Sequence, residues 1–322
     1  MVNLNQFDLL STCRNQLTQL PTKKILLAYS GGVDSSVLLD CLHKISQEGE
    51  LSLRTMHVNH GLSSEANIFE NHCIDITRQL NIQHHTININ INSSSNIEEL
   101  CRKKRYEVLT ENCQKDEVIF TAHHEEDQIE TFLLRLIRGS GARGLSSMKI
   151  KTYHNNKTIF RPFLKVSKSA IDEYCGINKI PYIVDSSNNN SKFDRNFIRN
   201  NVLPLMKSRW TSINKNILNN IDVQDIQSNF IIHNVNSILP KFYLNGSNEL
   251  SVSSLNKEEL YTQTVLIHEW VLMQTGIILN LKQIHEILKI LQTNNDSNPL
   301  FTFNGISISK NRDVLKVSMF RD

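Results

Sequence analysis

The sequence predicts an α/β protein: a parallel-sheet domain followed by a smaller, mainly helical domain with a terminal β-hairpin. Up to about residue 145, short apolar segments alternate with amphipathic segments of helical spacing. From residue 213 helical spacing dominates, and the last segment alternates apolar and polar residues around the turn-forming Asn-Gly and Asn-Arg-Asp. The 322 residues suffice for two domains, which we expect at 1–212 and 213–322.

Four strand–helix pairs make up the first part of the chain. Strands that are joined by helices pair in parallel, through right-handed crossovers, with helices on both faces of the sheet. Ligands bind to such sheets beyond the carboxyl ends of the strands. The strands are predicted at 24–29, 53–58, 84–90 and 117–122, and the helices at 34–46, 64–80, 96–113 and 125–139.

The elements after residue 145 are less regular. A short strand in TIFRP is followed by a helix at 167–178 and by the polar segment SSNNNS (186–191), which predicts a loop. The range 213–292 is predicted to be helical, and the end of the chain to form a small hairpin or meander.

The composition is that of an ordinary globular protein, with 39% hydrophobic and 21% charged residues. A net charge of +3 is too small to indicate nucleic-acid binding, so any basic surface must be local. The N-terminus lacks a basic leader with an apolar run, and no segment has the length of a membrane span. The six cysteines form no Cys-x-x-Cys, so we expect reduced thiols in a cytoplasmic protein without membrane association.

The segment ILLAYSGGVDSSVLLD (25–40) joins a predicted strand to a helix through a glycine-rich loop that suits a phosphate. Gly31 and Gly32 let the backbone approach an anion, and the hydroxyls of Ser30 and Ser35 are further donors. The chain has no Gly-Lys-Ser/Thr, so the lysine of the kinase phosphate loop is missing. Asp34 would repel a phosphate unless it also binds Mg²⁺. The alternative is a tight turn in which Asp34 caps the helix.

A second glycine-rich segment, GSGARG (139–144), matches the dinucleotide-binding pattern G-x-G-x-x-G. A dinucleotide site must follow a strand and open a helix, whereas this segment follows a helix. Arg138 and Arg143 lie in or beside it. We therefore interpret it as a flexible basic loop.

Charged residues cluster after the fourth strand. His123 and His124 are expected in the wall of the site, although satisfied imidazoles that shape the loop would look the same in the sequence. Asp127 and Glu130 are three residues apart and share a helix face, where two carboxylates could hold an ammonium group or Mg²⁺. The alternative is that their charges only favour the helix N-terminus.

Arginine binds phosphate through its planar fork, so arginine clusters could provide the local positive surface. The candidate residues are Arg102, Arg105, Arg138, Arg143, Arg195 and Arg199.

Five segments resemble the tRNA(Ile)-lysidine synthetase family, whose fold is that of the PP-loop N-type ATP pyrophosphatases. SGGVDS after an apolar strand resembles the PP-loop itself. The others occur in the order and spacing of the family within about the first 210 residues: HVNHGL (57–62), IEELCRKKRY (97–106), TAHHEEDQIETFLLRLIRGSGARGLSSM (121–148) and DSSNNNSKFDRNFIRNNVLPLM (185–206).

The resemblance implies a ligation on RNA. ATP adenylates the C2 oxygen of the wobble cytidine of tRNA(Ile) with a CAU anticodon, and free L-lysine then displaces AMP, so that the tRNA reads AUA instead of AUG. The resemblance implies catalysis by Asp34, Asp127 and Glu130, lysine binding by Asp127 and Glu130, and Mg²⁺ binding by Asp34 and Asp127. The ATP-binding residues would be Ser30, Gly31, Gly32, Val33, Asp34 and Ser35. Arg102 and Arg105 match arginines of the family, and together with the other four arginines named above they are the predicted tRNA-binding residues.

The sequence departs from the family in two places. The acidic pair after the histidines is often Asp-Asp in the family and is Glu126-Asp127 here, which retains the second acid. About 110 residues follow the catalytic region, which indicates a short form whose single C-terminal domain docks tRNA.

Three alternatives remain from the sequence. The nearest is a PP-loop tRNA thiolase, which usually needs a cysteine pair or an iron–sulfur site; the cysteines are scattered, but Cys113 and Cys175 could still meet in space. A non-catalytic nucleotide-binding module would explain the glycine loop but not HHEEDQIET. An amidotransferase-linked synthetase is disfavoured because no glutaminase-like domain accompanies the loop. The oligomeric state stays open, with a homodimer among the options.

Overall fold

A computed structural model describes residues 9–49, 51–61, 65–89, 97–185, 192–244, 247–294 and 297–320. The predicted SSNNNS loop lies outside these residues. The chain forms two compact units. The first comprises Met1–Gly139 and Gly144–Asp222, and the second comprises Ser140–Arg143 and Val223–Asp322.

The first unit contains a six-stranded sheet in the order β3-β2-β1-β4-β6-β5. Its first five members pair in parallel, and β5 is an antiparallel edge strand. The strands are β1 (Lys24–Ala28), β2 (Ser52–Asn59), β3 (Gln83–Asn88), β4 (Glu117–Phe120), β5 (Lys151–His154) and β6 (Lys157–Phe160). The predicted parallel sheet is confirmed, with β6 in the TIFRP segment.

Strand β5 was not predicted. It pairs with β6 through a two-residue turn, Asn155-Asn156, in which both residues have positive φ, 46° and 60°. Asparagine tolerates this left-handed conformation, which a type I′ hairpin turn requires. The Asn-Asn pair was therefore the signal in the sequence for this hairpin.

Helices connect the strands and continue beyond them. Their bounds are α1 (Leu9–Leu17), α2 (Val33–Gln47), α3 (Ala66–Gln79), α4 (Ile97–Glu111), α5 (Glu125–Ile137), α6 (Ala142–Leu145), α7 (Lys168–Asn178), α8 (Asp194–Phe197) and α9 (Leu203–Arg209). A π-helical turn, Ile198–Val202, joins α8 to α9.

Both faces of the sheet are covered. In β1, Ile25 and Leu27 belong to a buried cluster that includes residues of α1, α2 and α7, and Leu26 belongs to a second cluster with residues of α4. Successive residues of a strand point to opposite faces, so a strand between two layers of helices is apolar throughout. This burial fixes the β1–α2 connection, on which the phosphate loop lies.

Helix α10 (Ile213–Ile238) belongs to both units. Ile217 and Ile221 pack in a cluster with Ile129 and Leu133 of α5, so the start of α10 is part of the first unit's core. The units therefore divide inside the helix, between Asp222 and Val223, whereas the sequence suggested a boundary before it.

The second unit combines helices with a small antiparallel sheet of order β7-β10-β9-β8. Its elements after α10 are β7 (Leu250–Ser251), α11 (Val252–Leu255), α12 (Leu260–Thr275), α13 (Leu281–Leu291), β8 (Leu300–Phe303), β9 (Ile306–Asn311) and β10 (Val314–Met319). Its core surrounds the fully buried Trp270. The expected terminal meander is present as β8–β10, and β7 adds a fourth strand. Among the described residues, none of the helices is both long and apolar enough to cross a membrane.

Candidate active site

A cavity of about 850 Å³ opens in the first unit at the carboxyl ends of β1, β2 and β4. It is lined by the loop between β1 and α2, by the residues that follow β2, and by the segment between β4 and α5. The strand order reverses beside β1, because the chain runs from β1 to β2 and β3 on one side and to β4 on the other. This is the position at which open parallel sheets bind ligands.

The glycine-rich loop needs a glycine at its first glycine position. Gly31 has φ +81°, and a Cβ there would lie 3.2 Å from the Sγ of Cys73 and 3.3 Å from a ring carbon of His72. A side chain would combine backbone strain with contacts so close that Cys73 or His72 would have to shift. The backbone conformation here therefore strongly favours glycine.

The loop is held by its two serines. The hydroxyl of Ser35 donates to the carbonyl of Gly32 at 3.0 Å and lies 3.0 Å from the hydroxyl of Ser30. The backbone N–H of Ser30 donates to the same Ser35 oxygen at 3.2 Å. Ser30 and Ser35 thus fix the loop as well as lining the cavity.

The N-terminus of α2 faces this loop. Gly32 is the N-cap, and Ser36 donates the first intrahelical hydrogen bond to its carbonyl at 3.0 Å. The alternative in which Asp34 caps the helix is therefore wrong. The N–H groups of Val33 and its neighbours precede that bond, and such groups with the helix dipole attract an anion.

Asp34 lies in the first turn of α2 and has two cationic neighbours. The Nζ of Lys168 donates to its Oδ1 at 2.6 Å, and the Nε2 of His124 lies 3.6 Å from its Oδ2. Burial alone would raise the pKa of Asp34, but His124 and Lys168 outweigh burial and hold it below its ordinary value. Asp34 is thus an ionised carboxylate at the entrance of an anion site.

His124 is surrounded by three carboxylates. Its Nε2 lies 3.6 Å from Oδ2 of Asp34 and 3.6 Å from Oδ2 of Asp127, and its Nδ1 lies 3.3 Å from Oε2 of Glu126. Burial opposes the charged ring, but the three acids outweigh it and raise the pKa of His124 to about 10. His124 is therefore an imidazolium cation at neutral pH.

His123 has the opposite character. Its Nδ1 lies 2.9 Å from the hydroxyl of Thr121, and burial together with nearby arginines lowers its pKa to about 3 although Asp127 opposes this. His123 is thus neutral where its neighbour His124 is charged. Both rings line the cavity.

Asp127 and Glu130 lie on one face of α5, as their spacing predicted, and two arginines pair with them. Arg195 donates from Nε to Glu130 at 2.6 Å and from Nη2 to Asp127 at 2.9 Å. Arg199 donates to both oxygens of Glu130, at 2.6 and 2.9 Å. Arg195 and Arg199 are four residues apart on α8 and the π-helical turn, so both reach the same pair of acids.

The two acids differ in exposure. The side chain of Glu130 is 1% exposed and that of Asp127 is 12% exposed. Burial would raise the pKa of Asp127, but His124 and Arg195 hold it well below its ordinary value. The sequence assigned Asp127 and Glu130 to lysine and Arg195 and Arg199 to tRNA. The structure joins all four in one network in which the charges balance.

The other four candidate arginines are distributed. Arg105 lines the cavity, and the guanidinium groups of Arg105 and Arg102 lie 5.6 and 5.9 Å from the ring centre of Tyr106. Arg138 ends α5 and is exposed. Arg143 donates to Glu269 at 2.7 Å within the second unit. Among the described residues that line the cavity, neither Arg138 nor Arg143 occurs.

Lys168 was not identified as a residue of the site from the sequence. Lys168 reaches Asp34 across 134 positions of the chain, and its backbone N–H donates to Glu126 at 2.9 Å. The only local signal was its place after Ser167, which caps α7 by accepting from the N–H of Ala170. Glu126 thus connects α5 to α7.

Comparison with known proteins identifies the family. The model of the PP-loop domain matches residues 8–206. The tRNA(Ile)-lysidine synthase of Histophilus somni (strain 129Pt) is 36% identical over 295 residues, which are 91% of this chain and 69% of that protein. The enzyme of Haemophilus influenzae (strain PittGG) is 30% identical over 320 residues, 96% of this chain and 73% of that protein. The chain belongs to the tRNA(Ile)-lysidine synthase family.

Membership in the lysidine synthase family confirms the predicted family, the fold class and an ATP-dependent ligase. Among solved structures, the U34-tRNA thiolase NcsA from Methanococcus maripaludis with its [4Fe-4S] cluster superposes with a TM-score of 0.53 at 14% identity, covering 68% of this chain and 78% of that one. At that identity only the fold is shared. The likeness does not favour the thiolase alternative.

The charge of His124 predicts a pH-dependent contribution to stability. Its pKa is about 10 in the folded protein against 6.5 for an unperturbed histidine, so its contribution is complete below pH 6.5 and is lost as pH rises through 10. We expect the difference in unfolding free energy between wild type and His124→Gln to be constant at acidic pH and to decrease from about pH 6.5 to about pH 10. Urea unfolding with EDTA at a series of pH values measures this difference.

His85→Gln, at an exposed position of β3, controls for the loss of a histidine side chain as such. A His124→Gln difference that stays flat across the same pH range would contradict the assignment of a charged ring.

Proposed function

We propose that this chain uses ATP to adenylate the C2 oxygen of the wobble cytidine of tRNA(Ile) with a CAU anticodon, and then joins L-lysine to that carbon with release of AMP. Pyrophosphate leaves in the first step, and the product is lysidine. The observation that carries the proposal is one cavity that holds both an anion-binding glycine loop and the Asp127–Glu130 pair, in a chain of the lysidine synthase family.

The first proposed role is that of the loop between β1 and α2, which binds the phosphates of ATP. Gly31 gives the loop its turn at positive φ, and Gly32 lines the cavity. Ser30 and Ser35 keep the loop in place, and the N-terminus of α2 favours negative charge. Asp34 stands among these donors, so a cation must compensate it when the phosphates are bound.

The residues present fit Mg²⁺ as this cation. Asp34 and Asp127 approach the same His124 nitrogen at 3.6 Å each, so their carboxylates face a common position, and both are ionised. Mg²⁺ is typically bound by one or two carboxylates together with phosphate oxygens. Asp34 and Asp127 would hold it, and when bound it neutralises charge on the phosphates. The imidazolium of His124 carries positive charge beside the same two acids.

The second proposed role is lysine binding by the face of α5 that carries Asp127 and Glu130. The lysine amine must attack as a free base, although its pKa in water is about 10.4. Asp127 is the more exposed acid and can attract the ammonium group and accept its proton, directly or through water. Glu130, buried under Arg195 and Arg199, keeps the two guanidinium groups in place beside Asp127.

Binding of the tRNA is proposed for the arginines on α4, on α8 and on the π-helical turn. Arg138 and Arg143, which the sequence also suggested, stay predictions. Arg105 and Arg199 line the cavity, where a guanidinium can bind two phosphate oxygens at once. Arg102 is exposed next to Arg105 on α4. Arg195 is included among the proposed tRNA-binding arginines because it pairs with the same two acids as Arg199.

The first test concerns the product. Incubation of tRNA(Ile) with the protein, ATP and isotope-labelled lysine should yield a nucleoside that contains the label, as measured by mass spectrometry of the digested tRNA. Leucine should not replace lysine, and ornithine, which is shorter by one methylene, should react poorly because its amine is misplaced. A nucleoside that gains sulfur from a sulfur donor and contains no lysine label would support the thiolase alternative. The structure places Cys113 and Cys175 in different hydrophobic clusters and leaves both as free thiols.

The second test separates the two chemical steps. Glu130→Gln should slow lysine transfer by about a hundredfold or more while slowing adenylation much less. Glu130 holds Arg195 and Arg199 beside Asp127, which accepts the proton of the amine, and such a proton transfer contributes about that factor. Asp127→Asn should slow both steps, since Asp127 is also assigned to Mg²⁺. Single-turnover rates of tRNA adenylation and of lysine transfer measure these effects.

Glu125→Gln is the matched control for that pair, because Glu125 lies on the same helix N-terminus but outside the network with Arg195 and Arg199. If Glu130→Gln slowed adenylation as much as transfer, or changed neither rate, the lysine-binding role of this face would be wrong.

The C-terminal part of the chain is proposed to dock tRNA. The segments that resemble the family end before about residue 210, whereas a tRNA is much longer than one catalytic pocket. The second unit exposes lysine side chains that can meet phosphates, among them Lys257 and Lys282. We place the enzyme in the cytoplasm with its tRNA, and the homodimer stays a prediction that sedimentation of the purified chain tests.

Hydrogen exchange of the whole chain tests the docking role. Removal of residues after 212 would strip Ile217 and Ile221 from the core of the first unit, so the intact protein is the better sample. Addition of tRNA(Ile) should slow exchange in peptides of 223–320 as well as around the cavity. Slowing confined to the first unit would contradict the docking role.

A further inference from the structure

Lys168 occupies a defined position in the cavity wall. It is the first residue of α7, and its backbone N–H donates to Glu126 at 2.9 Å, which fixes the start of the helix against α5. Its Nζ lies 2.6 Å from Oδ1 of Asp34 and 3.0 Å from Oδ1 of Asp172. The side chain is 29% exposed and lines the cavity, so its ammonium group can reach a ligand there.

Lys168 lies where a cation is required to offset the negative charge of Asp34 and of a bound phosphate. The chain lacks the lysine that follows the glycines in kinase phosphate loops, and its own loop carries an acid, Asp34. ATP with its polyphosphate would add further negative charge beside this carboxylate. Lys168 brings a cation to the loop from another element of the fold. An ammonium has three N–H donors, of which Asp34 and Asp172 accept two in this structure.

We propose that Lys168 binds the outer phosphates of ATP and then the pyrophosphate that leaves, in place of a lysine within the phosphate loop. This inference rests on the proposed adenylation chemistry. On phosphate binding, Lys168 keeps Asp172 as a partner and donates to phosphate oxygens, which releases Asp34 from its closest cation. The carboxylate of Asp34 is then available for Mg²⁺.

The step balances without a proton on Lys168. The C2 oxygen of the cytidine forms a bond to the α-phosphorus, and the bond between that phosphorus and the oxygen bridging to the β-phosphorus breaks. Pyrophosphate leaves with the electron pair of the broken bond. Lys168 stays an ammonium throughout and stabilises the charge that collects on the leaving oxygen.

The competing explanation is that Lys168 only holds α7 against α2 through Asp34. A merely structural ion pair would affect thermal stability and all ligands alike. A phosphate-binding lysine acts on those ligands that carry the β- and γ-phosphates. Pyrophosphate contains the outer phosphates without the nucleoside, and AMP contains the nucleoside without the outer phosphates, so the two ligands separate the explanations.

Calorimetry of the full-length protein with MgCl₂ tests the proposal. Lys168→Met should weaken binding of ATP and of pyrophosphate about tenfold or more, which is the loss expected for one charge-assisted hydrogen bond, and should change AMP binding less than about twofold. Lys168→Arg should restore most of the loss, since it keeps the charge. Lys165→Met, an exposed lysine three residues earlier on the chain, should bind all three ligands as wild type does.

A measurement on the wild-type protein makes the test independent of whether Lys168→Met folds. Acylation of Lys168 by an N-hydroxysuccinimide ester, quantified by peptide mass spectrometry, should be slowed by ATP and by pyrophosphate but not by AMP. Lys165 provides the unprotected reference in the same digest. Equal weakening of AMP and pyrophosphate binding by Lys168→Met, or acylation unaffected by pyrophosphate, would overturn the proposal.

Neither measurement uses tRNA or lysine. The phosphate-binding role of Lys168 and the proposed ligation of lysine to tRNA can therefore fail separately. Protection of Lys168 by pyrophosphate without formation of lysidine would support its phosphate role and reject the proposed ligation. Formation of lysidine with Lys168 unprotected would retain the ligation and reject this inference.

Discussion

The site depends on one cation, the imidazolium of His124, which lies among acids from two helices. Asp34 comes from α2, and Glu126 and Asp127 come from α5, and all three approach the ring within 3.6 Å. Three carboxylates so close together would repel each other and the phosphates of a nucleotide. A charged histidine allows the two helices to begin side by side at the carboxyl edge of the sheet, which is the condition for a common cavity.

The same principle of compensation extends to both sides of His124. On one side Lys168 pairs with Asp34, and on the other Arg195 and Arg199 pair with Asp127 and Glu130. Asp34, Asp127 and Glu130 therefore already have basic partners before any substrate binds. In the proposed reaction, Mg²⁺ and the ammonium group of lysine would enter by exchange with cations of the protein itself. Exchange of one cation for another avoids the large cost of a buried unpaired charge.

The sheet makes this compensation possible because it gathers distant parts of the chain. The central β1 lies between β2 and β4, so the loops that follow β1 and β4 are neighbours at one edge. The burial of β1 and β4 in the core fixes the positions of the loops that follow them. Helices α7 and α8 carry Lys168 and Arg195 to the same edge of the sheet. Lys168, Arg195 and Arg199 come from later in the chain than the acids that they neutralise.

The sequence by itself determined the elements and the local chemistry. Alternating strands and helices, the glycine loop at Gly31 and Gly32, and the shared face of Asp127 and Glu130 all follow from short-range spacing, which reports directly on local structure. The resemblance to the family followed from the same short segments. Strand β5 was missed only because its Asn-Asn turn was not recognised as a hairpin signal.

Only the tertiary structure decided which charges meet. Arg195 lies 65 positions from Glu130, and Lys168 lies 134 positions from Asp34, and no periodicity within a helix or strand reports such distances. The adjacent His123 and His124 differ in charge because three acids surround one ring, whereas burial and arginines act on the other. Ile217 and Ile221 look like any apolar stripe of a helix, and their packing against α5 is what carries α10 into the first unit. The local sequence pattern specifies each helix and strand. The electrostatic potential at the site is the sum of charges on several helices and strands, which only folding brings within a few ångströms of one another.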